Sequence, residues 1–208
     1  MNPKLRLVRP EASAPPSSEV DDTELVHRLI GGDPRAAVLL WRRHAVMVRG
    51  LVVRALGPGV EIEDLVQDSF AVFFRKVRTL KDPTAMRSFL IGITIREIRG
   101  EIRRRRVRKW LMLTTTGELG DYFAAGDDNA RHAFARLYRV LDSLDSRSHV
   151  AFTLRHFEGY ELSEVAEALS CSLATVKRVL SAVETRVWAL AARDPYLAPY
   201  LETKGARS

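Results

Sequence analysis

Residues Arg96–Lys109, REIRGEIRRRRVRK, carry eight basic and two acidic side chains. Guanidinium groups at that density bind phosphates through charge-assisted hydrogen bonds, with an affinity that falls steeply as salt rises. Ile98 and Ile102 stand four apart, so one edge of a helix here rests on a core. Arg103, Arg104, Arg105 and Arg106 then wrap most of the way round it, and one face must meet solvent. The arrangement predicts a site that tracks a nucleic-acid backbone. The competing reading is a solvated face, or a basic segment folded back on acidic neighbours.

A second set of residues suits base readout. Leu162–Val187, LSEVAEALSCSLATVKRVLSAVETRV, reads as two short helices joined by a tight turn. Ser163 is the expected cap of the first helix, with Val165, Ala166 and Leu169 on its inner face. Ser170-Cys171-Ser172 forms the turn, and Ser172 caps the second helix. Leu173, Val176, Leu180, Val183 and Val187 recur at steps of three and four, one apolar stripe. Ala174, Thr175, Lys177, Arg178 and Ser181 remain outside, a small, hydroxylated and basic face that suits the major groove. An ordinary helical hairpin with a solvated face is the alternative.

The third constellation is acidic. Glu61–Leu80 puts Ile62, Leu65, Val66, Phe70, Phe73 and Val77 on one side of a helix, leaving Glu63, Asp64, Gln67, Asp68 and Arg75 outside. Periodicity alone makes this a solvent-facing surface.

Bond-making chemistry has little support. No glycine loop of phosphate-cradling length is present, and Gly31-Gly32 is too short. His27, His44, His132, His149 and His156 are scattered and match no metal spacing. The single cysteine, Cys171, permits no internal disulfide and reads as a small apolar residue of the turn. We therefore expect no catalytic residues, no metal and no cofactor.

The elements that must position these residues are helical. Asp21-Asp22-Thr23 opens the first stripe, Asp33-Pro34 caps a helix running to about Leu56, and Gly57-Pro58-Gly59 breaks it. After the acidic helix, Asp82-Pro83 opens a turn, and Met86 to about Leu113 is helical again, with a possible interruption midway. No period-two alternation is long enough for a sheet. Thr114–Asn129 holds three glycines and no stripe. Beyond it, Phe134, Leu137, Tyr138, Leu141 and Leu144 line one helix, and Val150, Leu154 and Phe157 the next, ending at Gly159.

The expected fold is all-α: two small helical domains joined by a flexible linker, the second containing the helix-turn-helix. The divisions are a disordered arm over 1–20, a first domain over 21–113, a linker over 114–130, a second domain over 131–192 and a loosely ordered tail over 193–208. The chain of 208 residues has a formal net charge of +7, which favours an anionic partner. Residues 21–113 hold 19 Lys/Arg against 11 Asp/Glu, whereas residues 130–193 hold 9 against 7. The more basic block is thus the one without the helix-turn-helix, an arrangement a lone repressor does not need. No apolar run reaches the ~18 residues of a membrane span, and the basic N-terminus lacks the apolar core of a secretory signal. A cytoplasmic location fits.

Both blocks together resemble a bacterial RNA polymerase sigma factor of the small extracytoplasmic-function type, over residues 22–190. Glu63-Asp64-Leu65-Val66-Gln67-Asp68-Ser69-Phe70 is similar to the acidic D-L-V-Q-E-x-F core of that family's region 2. The resemblance implies that Glu63, Asp64, Leu65, Gln67 and Asp68 dock on the clamp helices of the polymerase β′ subunit. Ser88-Phe89-Leu90-Ile91-Gly92-Ile93 resembles the W-L-x-x-I step. Arg99–Arg108 resembles the basic region that meets promoter DNA around the −10 element, which implies −10 contacts for Arg96, Arg99, Arg103, Arg104, Arg105 and Arg106. Leu144-Asp145-Ser146-Arg147 and Leu154-Arg155-His156-Phe157-Glu158-Gly159 resemble the L-P-x-R opening and the L-R-x-x-E-G step of region 4. Thr175-Val176-Lys177 resembles the T-V-K of the −35-reading helix, which implies −35 contacts for Ser172, Ala174, Thr175, Lys177, Arg178 and Ser181.

The pattern also has departures. Phe89 replaces the usual Trp, and Arg96 stands where the family has the Asn that holds a flipped −10 base. Val179 and Ala182 replace two arginines of the family's recognition helix. The implied partners are core RNA polymerase through β′ and β, promoter DNA and an anti-sigma factor, with no membrane insertion and no enzymatic activity. Two other readings are a two-domain helix-turn-helix regulator and a sigma-like protein-binding module without promoter recognition. The acidic Glu63–Phe70 helix separates the first from a sigma factor, because a regulator has no use for it.

Overall fold

The computed structural model describes residues 20–57, 61–112 and 128–198. Among them are eight α-helices and no strand: α1 (Asp22–Ile30), α2 (Pro34–Leu56), α3 (Ile62–Lys76), α4 (Met86–Met112), α5 (Asp128–Asp142), α6 (Ser146–Phe152), α7 (Leu162–Ala168) and α8 (Leu173–Ala191). The expected arm and most of the linker and tail lie outside the described residues.

The first block is α1–α4. Asp33 caps α2 by accepting from the Arg35 amide at 2.9 Å, and Pro34 fits the first turn. Phe70 and Phe73 of α3 are fully buried, and Phe70 meets Trp41 of α2 at 4.4 Å between ring centroids. Every apolar residue expected on the inner face of α3 is buried. Helix α4 runs 27 residues without the interruption considered above. At the other end, Asp22 bonds Arg43 at 2.7 Å and His44 at 2.9 Å, tying α1 to α2.

The second block departs more from expectation. Helix α6 widens into a π-helical turn over Thr153–Phe157 before Gly159, at φ +70°, ends it. The cap of α7 is Glu161 rather than Ser163: Glu161 and Glu164 form a reciprocal capping box, and the Glu161 amide donates to Glu164 at 2.7 Å. Ser172 caps α8 as expected, accepting from the Thr175 amide at 3.2 Å. Val176, Leu180, Val183 and Val187 are buried as the stripe requires, but Leu173 is 43% exposed because it lies in the first turn, off the core. Phe134 is likewise exposed on α5. The start of the tail is not loose: Leu197 is buried in a small cluster with Ala133 and Ala191.

Two blocks on a flexible linker need not touch, yet these do. One continuous apolar cluster runs from α1–α4 into Val150, Ala151 and Leu154, then Val165, Ala166 and Leu169 of α7, then Val176 and Leu180 of α8. A separate cluster of Leu141, Leu144, Phe152, Val183, Val187 and Trp188 holds α5, α6 and α8 together.

Candidate polymerase and nucleic-acid interfaces

Helix α3 presents Glu63, Asp64, Gln67 and Asp68 to solvent on one side of its first two turns, because the opposite side is consumed by the core. Glu63 is paired with Arg49 of α2 at 2.6 Å. Leu65, expected among the docking residues, is only 2% exposed. It supports this surface from beneath and does not form part of it.

The basic segment divides into two sets. Glu101 is buried on α4 and gathers three guanidinium groups: Arg104 at 2.8 Å, Arg105 at 3.3 Å and Arg108 at 2.5 Å. Glu61 takes Arg105 at 3.0 Å and Arg108 at 3.3 Å. Arg105 also donates to the Leu56 carbonyl at 3.0 Å, closing the end of α2. Burial raises the Glu101 carboxyl, but the bond from Arg104 and the surrounding arginine charges outweigh it and leave the pKa below the ordinary carboxylate range. Folding back on acidic neighbours, the competing reading, thus holds for Arg105 and Arg108 and partly for Arg104. Arg96, Arg103 and Arg106 are exposed, and no ion pair is formed by any of them among the described residues.

Arg99 stands apart. Its Nε is buried without a hydrogen-bond partner, and its pKa is lowered by burial and then by the neighbouring charges of Arg147 and Arg103. Asp145 and Cys171 lie close enough to oppose that shift, so Arg99 sits against the second block.

On α8, Ala174, Lys177, Arg178 and Ser181 are exposed in one row and Thr175 is half-buried beside them. The Ser172 and Thr175 hydroxyls bond each other at 2.9 Å, fixing the start of the helix. The turn before it is a Schellman motif, with the Cys171 amide donating to the Ala166 carbonyl at 3.0 Å and the Ser170 amide to Glu167 at 2.9 Å. Ser170 therefore adopts φ +50°, the left-handed conformation.

An acidic helix in the first block, a basic segment behind it and a recognition helix in the second are, in order, the parts of a promoter-selecting adaptor. Comparison with known proteins agrees. The model of Sigma-70 region 2 matches residues 40–108, and that of Sigma-70 region 4 matches residues 134–183, together more than half of the chain. This chain is a sigma factor of the extracytoplasmic-function type. It resembles the RNA polymerase sigma-H factor of Pseudomonas aeruginosa at 26% identity over 170 residues, 77% of this chain and 88% of that one. It resembles the extracytoplasmic-function sigma-E factor of Escherichia coli K12 at 24% identity over 191 residues, 85% of this chain and all of that one.

In fold, the sigma factor is similar to CnrH in its complex with the cytosolic domain of CnrY. The TM-score is 0.58 and the identity 23%, covering 83% of this chain and 98% of that one. It is also similar to RpoE of Bartonella quintana bound to the anti-sigma factor NepR, with TM-score 0.55 and 18% identity, covering 75% and 96%. The sigma factor binds core RNA polymerase, recognises promoters and is not an enzyme. The match to region 2 sets aside the plain helix-turn-helix regulator. Among the described residues no helix is long and apolar enough to cross a membrane.

The sequence reading did not foresee Glu101 as the collector of arginines. The signal was present: Glu101 stands three and four residues before Arg104 and Arg105, the spacing of helical ion pairs.

Proposed function

We propose that this sigma factor docks on the β′ clamp of core polymerase through Glu63, Asp64, Gln67 and Asp68, with Leu65 as their buried support. Arg96, Arg99, Arg103 and Arg106 meet the DNA at the −10 element, the last two mainly through phosphates. Arg104 and Arg105 shape that surface, being held on Glu101 and, for Arg105, on Glu61 as well. Ser172, Ala174, Thr175, Lys177, Arg178 and Ser181 read the −35 element, with the helix N-terminus and Ser172 at a phosphate and the two long side chains at base edges. The chain works in the cytoplasm, where the polymerase is, and an anti-sigma factor restrains it, as NepR pairs with RpoE in the Bartonella complex.

The observation that carries this reading is the exposed acidic row of α3, whose apolar side is wholly spent on the core. Apart from the Glu63–Arg49 pair, folding uses only that apolar side. Two modules on one chain make the second DNA contact effectively intramolecular. The test is co-elution with core polymerase. Asp64→Lys/Asp68→Lys should weaken the complex at least tenfold while circular dichroism stays helical. Unchanged co-elution would remove α3 from the interface.

A further inference from the structure

The promoter face of α4 carries more than arginines. At about 100° of turn per residue, Arg96, Gly100, Arg103, Val107 and Trp110 fall in one narrow seam, with Arg106 on its flank. Trp110 is 73% exposed and Val107 57%. The other two tryptophans are used inside the fold: Trp41 packs on Phe70, and Trp188 belongs to the cluster of α5, α6 and α8. Folding does not account for Trp110. A single exposed apolar residue needs no explanation, but a tryptophan and a valine one turn apart, beside unpaired arginines, do.

The seam alternates cationic and apolar groups. Arg103 and Arg106 form no ion pair among the described residues, whereas Arg104, Arg105 and Arg108 turn away to Glu101. At Gly100 a Cβ would meet nothing nearer than Arg104 Nη1 at 3.9 Å, so the helix backbone there is open to close approach. A DNA strand alternates in the same way, with anionic phosphates separated by the largely apolar edges of deoxyribose. Where arginines take phosphates, the indole between and beyond them meets sugar.

The spacing says which part of the DNA this is. Arg96 and Trp110 are 14 residues apart. That is about 21 Å along the helix, or about six base pairs of duplex. The block that reads the −35 element is attached beyond the C-terminal end of α4, so DNA continuing past Arg106 in that direction is the duplex spacer between the two elements.

We propose that Trp110, with Val107, packs on the deoxyribose edge of the spacer just upstream of the −10 element. This is a third promoter contact, outside both elements. It is blind to sequence, because contacts to sugar position a protein on DNA without reading bases. It rests on the assignment of Arg96, Arg103 and Arg106 to −10 contact.

The test uses holoenzyme, assembled from core polymerase and the full chain, on two fragments of a promoter that the wild-type chain selects from a library. Both keep the −10 element and the downstream DNA and lack the −35 element. One ends at the upstream edge of the −10 element, and the other continues for about ten base pairs of spacer. The added pairs should raise wild-type affinity about fivefold through burial of the indole and the valine, and scrambling their sequence should leave the gain in place. For Trp110→Ala the gain should fall below twofold, with core polymerase and the short fragment bound as by wild type, and Trp110→Phe should keep most of it. The contact is uncharged, so Trp110→Ala should leave the logarithmic salt slope where it is, unlike the loss of an arginine. Hydroxyl-radical cleavage of the spacer sugars should be suppressed by wild type and return with Trp110→Ala.

No gain in wild type, a full gain in Trp110→Ala, a gain that scrambling abolishes, or a loss already present in core binding would overturn the proposal. A wild-type holoenzyme that binds the short fragment equally well with its −10 sequence scrambled would instead count against the −10 assignment, and the placement of Trp110 would fall with it.

Discussion

Arg103 and Arg106, like Arg96, are arginines of the basic run whose charge is not spent inside the molecule. Arg104 and Arg105 sit on Glu101, and Arg105 also closes α2. Each phosphate contact releases about one counterion, so Arg103→Ala/Arg106→Ala should make the logarithmic salt slope of promoter binding less negative by about two. The same change at Arg105 should act mainly on stability, because it removes one of the donors to Glu61 and to Glu101 and the donor to the Leu56 carbonyl at the end of α2. A slope unchanged by the Arg103/Arg106 pair would show that neither meets phosphate. His149 makes a second prediction at this scale. Burial pushes its pKa down to about 4 from 6.5, with the charge of Arg105 adding to that and the Ala55 carbonyl opposing it. The unfolded chain therefore takes up a proton that the folded chain refuses. The stability is fully present above pH 6.5 and is lost as pH falls from 6.5 towards 4, by on the order of 1.4 kcal/mol per unit. Buried His44 and half-buried His156 shift in the same direction, so the control is His149→Gln, which keeps a donor without titrating. Urea midpoints from pH 7 to 4.5 should fall more steeply for wild type than for His149→Gln; parallel profiles would refute this role.

Among the elements, the helices with clear caps and stripes were legible in the sequence. Asp33-Pro34 started α2, the inner face of α3 was read residue by residue, and Ser172 capped α8. Local spacing decides those features. The capping of α7 was misread because a serine and a glutamate compete for the same role. Ser163 is the better intrinsic cap, but Glu161 with Glu164 forms a reciprocal box that satisfies two amides together. The π-helical turn at Thr153–Phe157 left no signal, since it changes only the hydrogen-bond register within an apolar helix. The helix-turn-helix turn offers a test of the element itself. Ser170 holds φ +50°, where a glycine is ordinarily preferred. Ser170→Gly relieves a left-handed penalty of about 1 kcal/mol and should raise the urea midpoint with promoter selectivity unchanged. A lower midpoint would mean that the Schellman turn is not under that strain.

For the whole molecule, the order of the two blocks and their charge asymmetry were visible in the sequence, and so was the chemistry of the three faces. The packing of one block on the other was not. It depends on Tyr138, His149 and Glu158, each of which looks like an ordinary helix residue until the end of α2 is brought beside it. Pairings across 84 to 104 residues of chain leave no periodic trace. Promoter selection by the assembled molecule is the central claim, and Lys177 and Arg178 are its most exposed commitment. A good bidentate contact to a base edge discriminates by about 1–3 kcal/mol. The decisive measurement is run-off transcription with purified core polymerase on a promoter that the wild-type chain selects from a library, beside the same promoter with its −35 region scrambled. Wild type should give a discrete transcript from the first and at least tenfold less from the second, and Lys177→Ala/Arg178→Ala should bind core polymerase normally while losing that difference. A double variant that still discriminates as well as wild type, or a wild-type chain that gives no promoter-dependent transcript, would contradict the account.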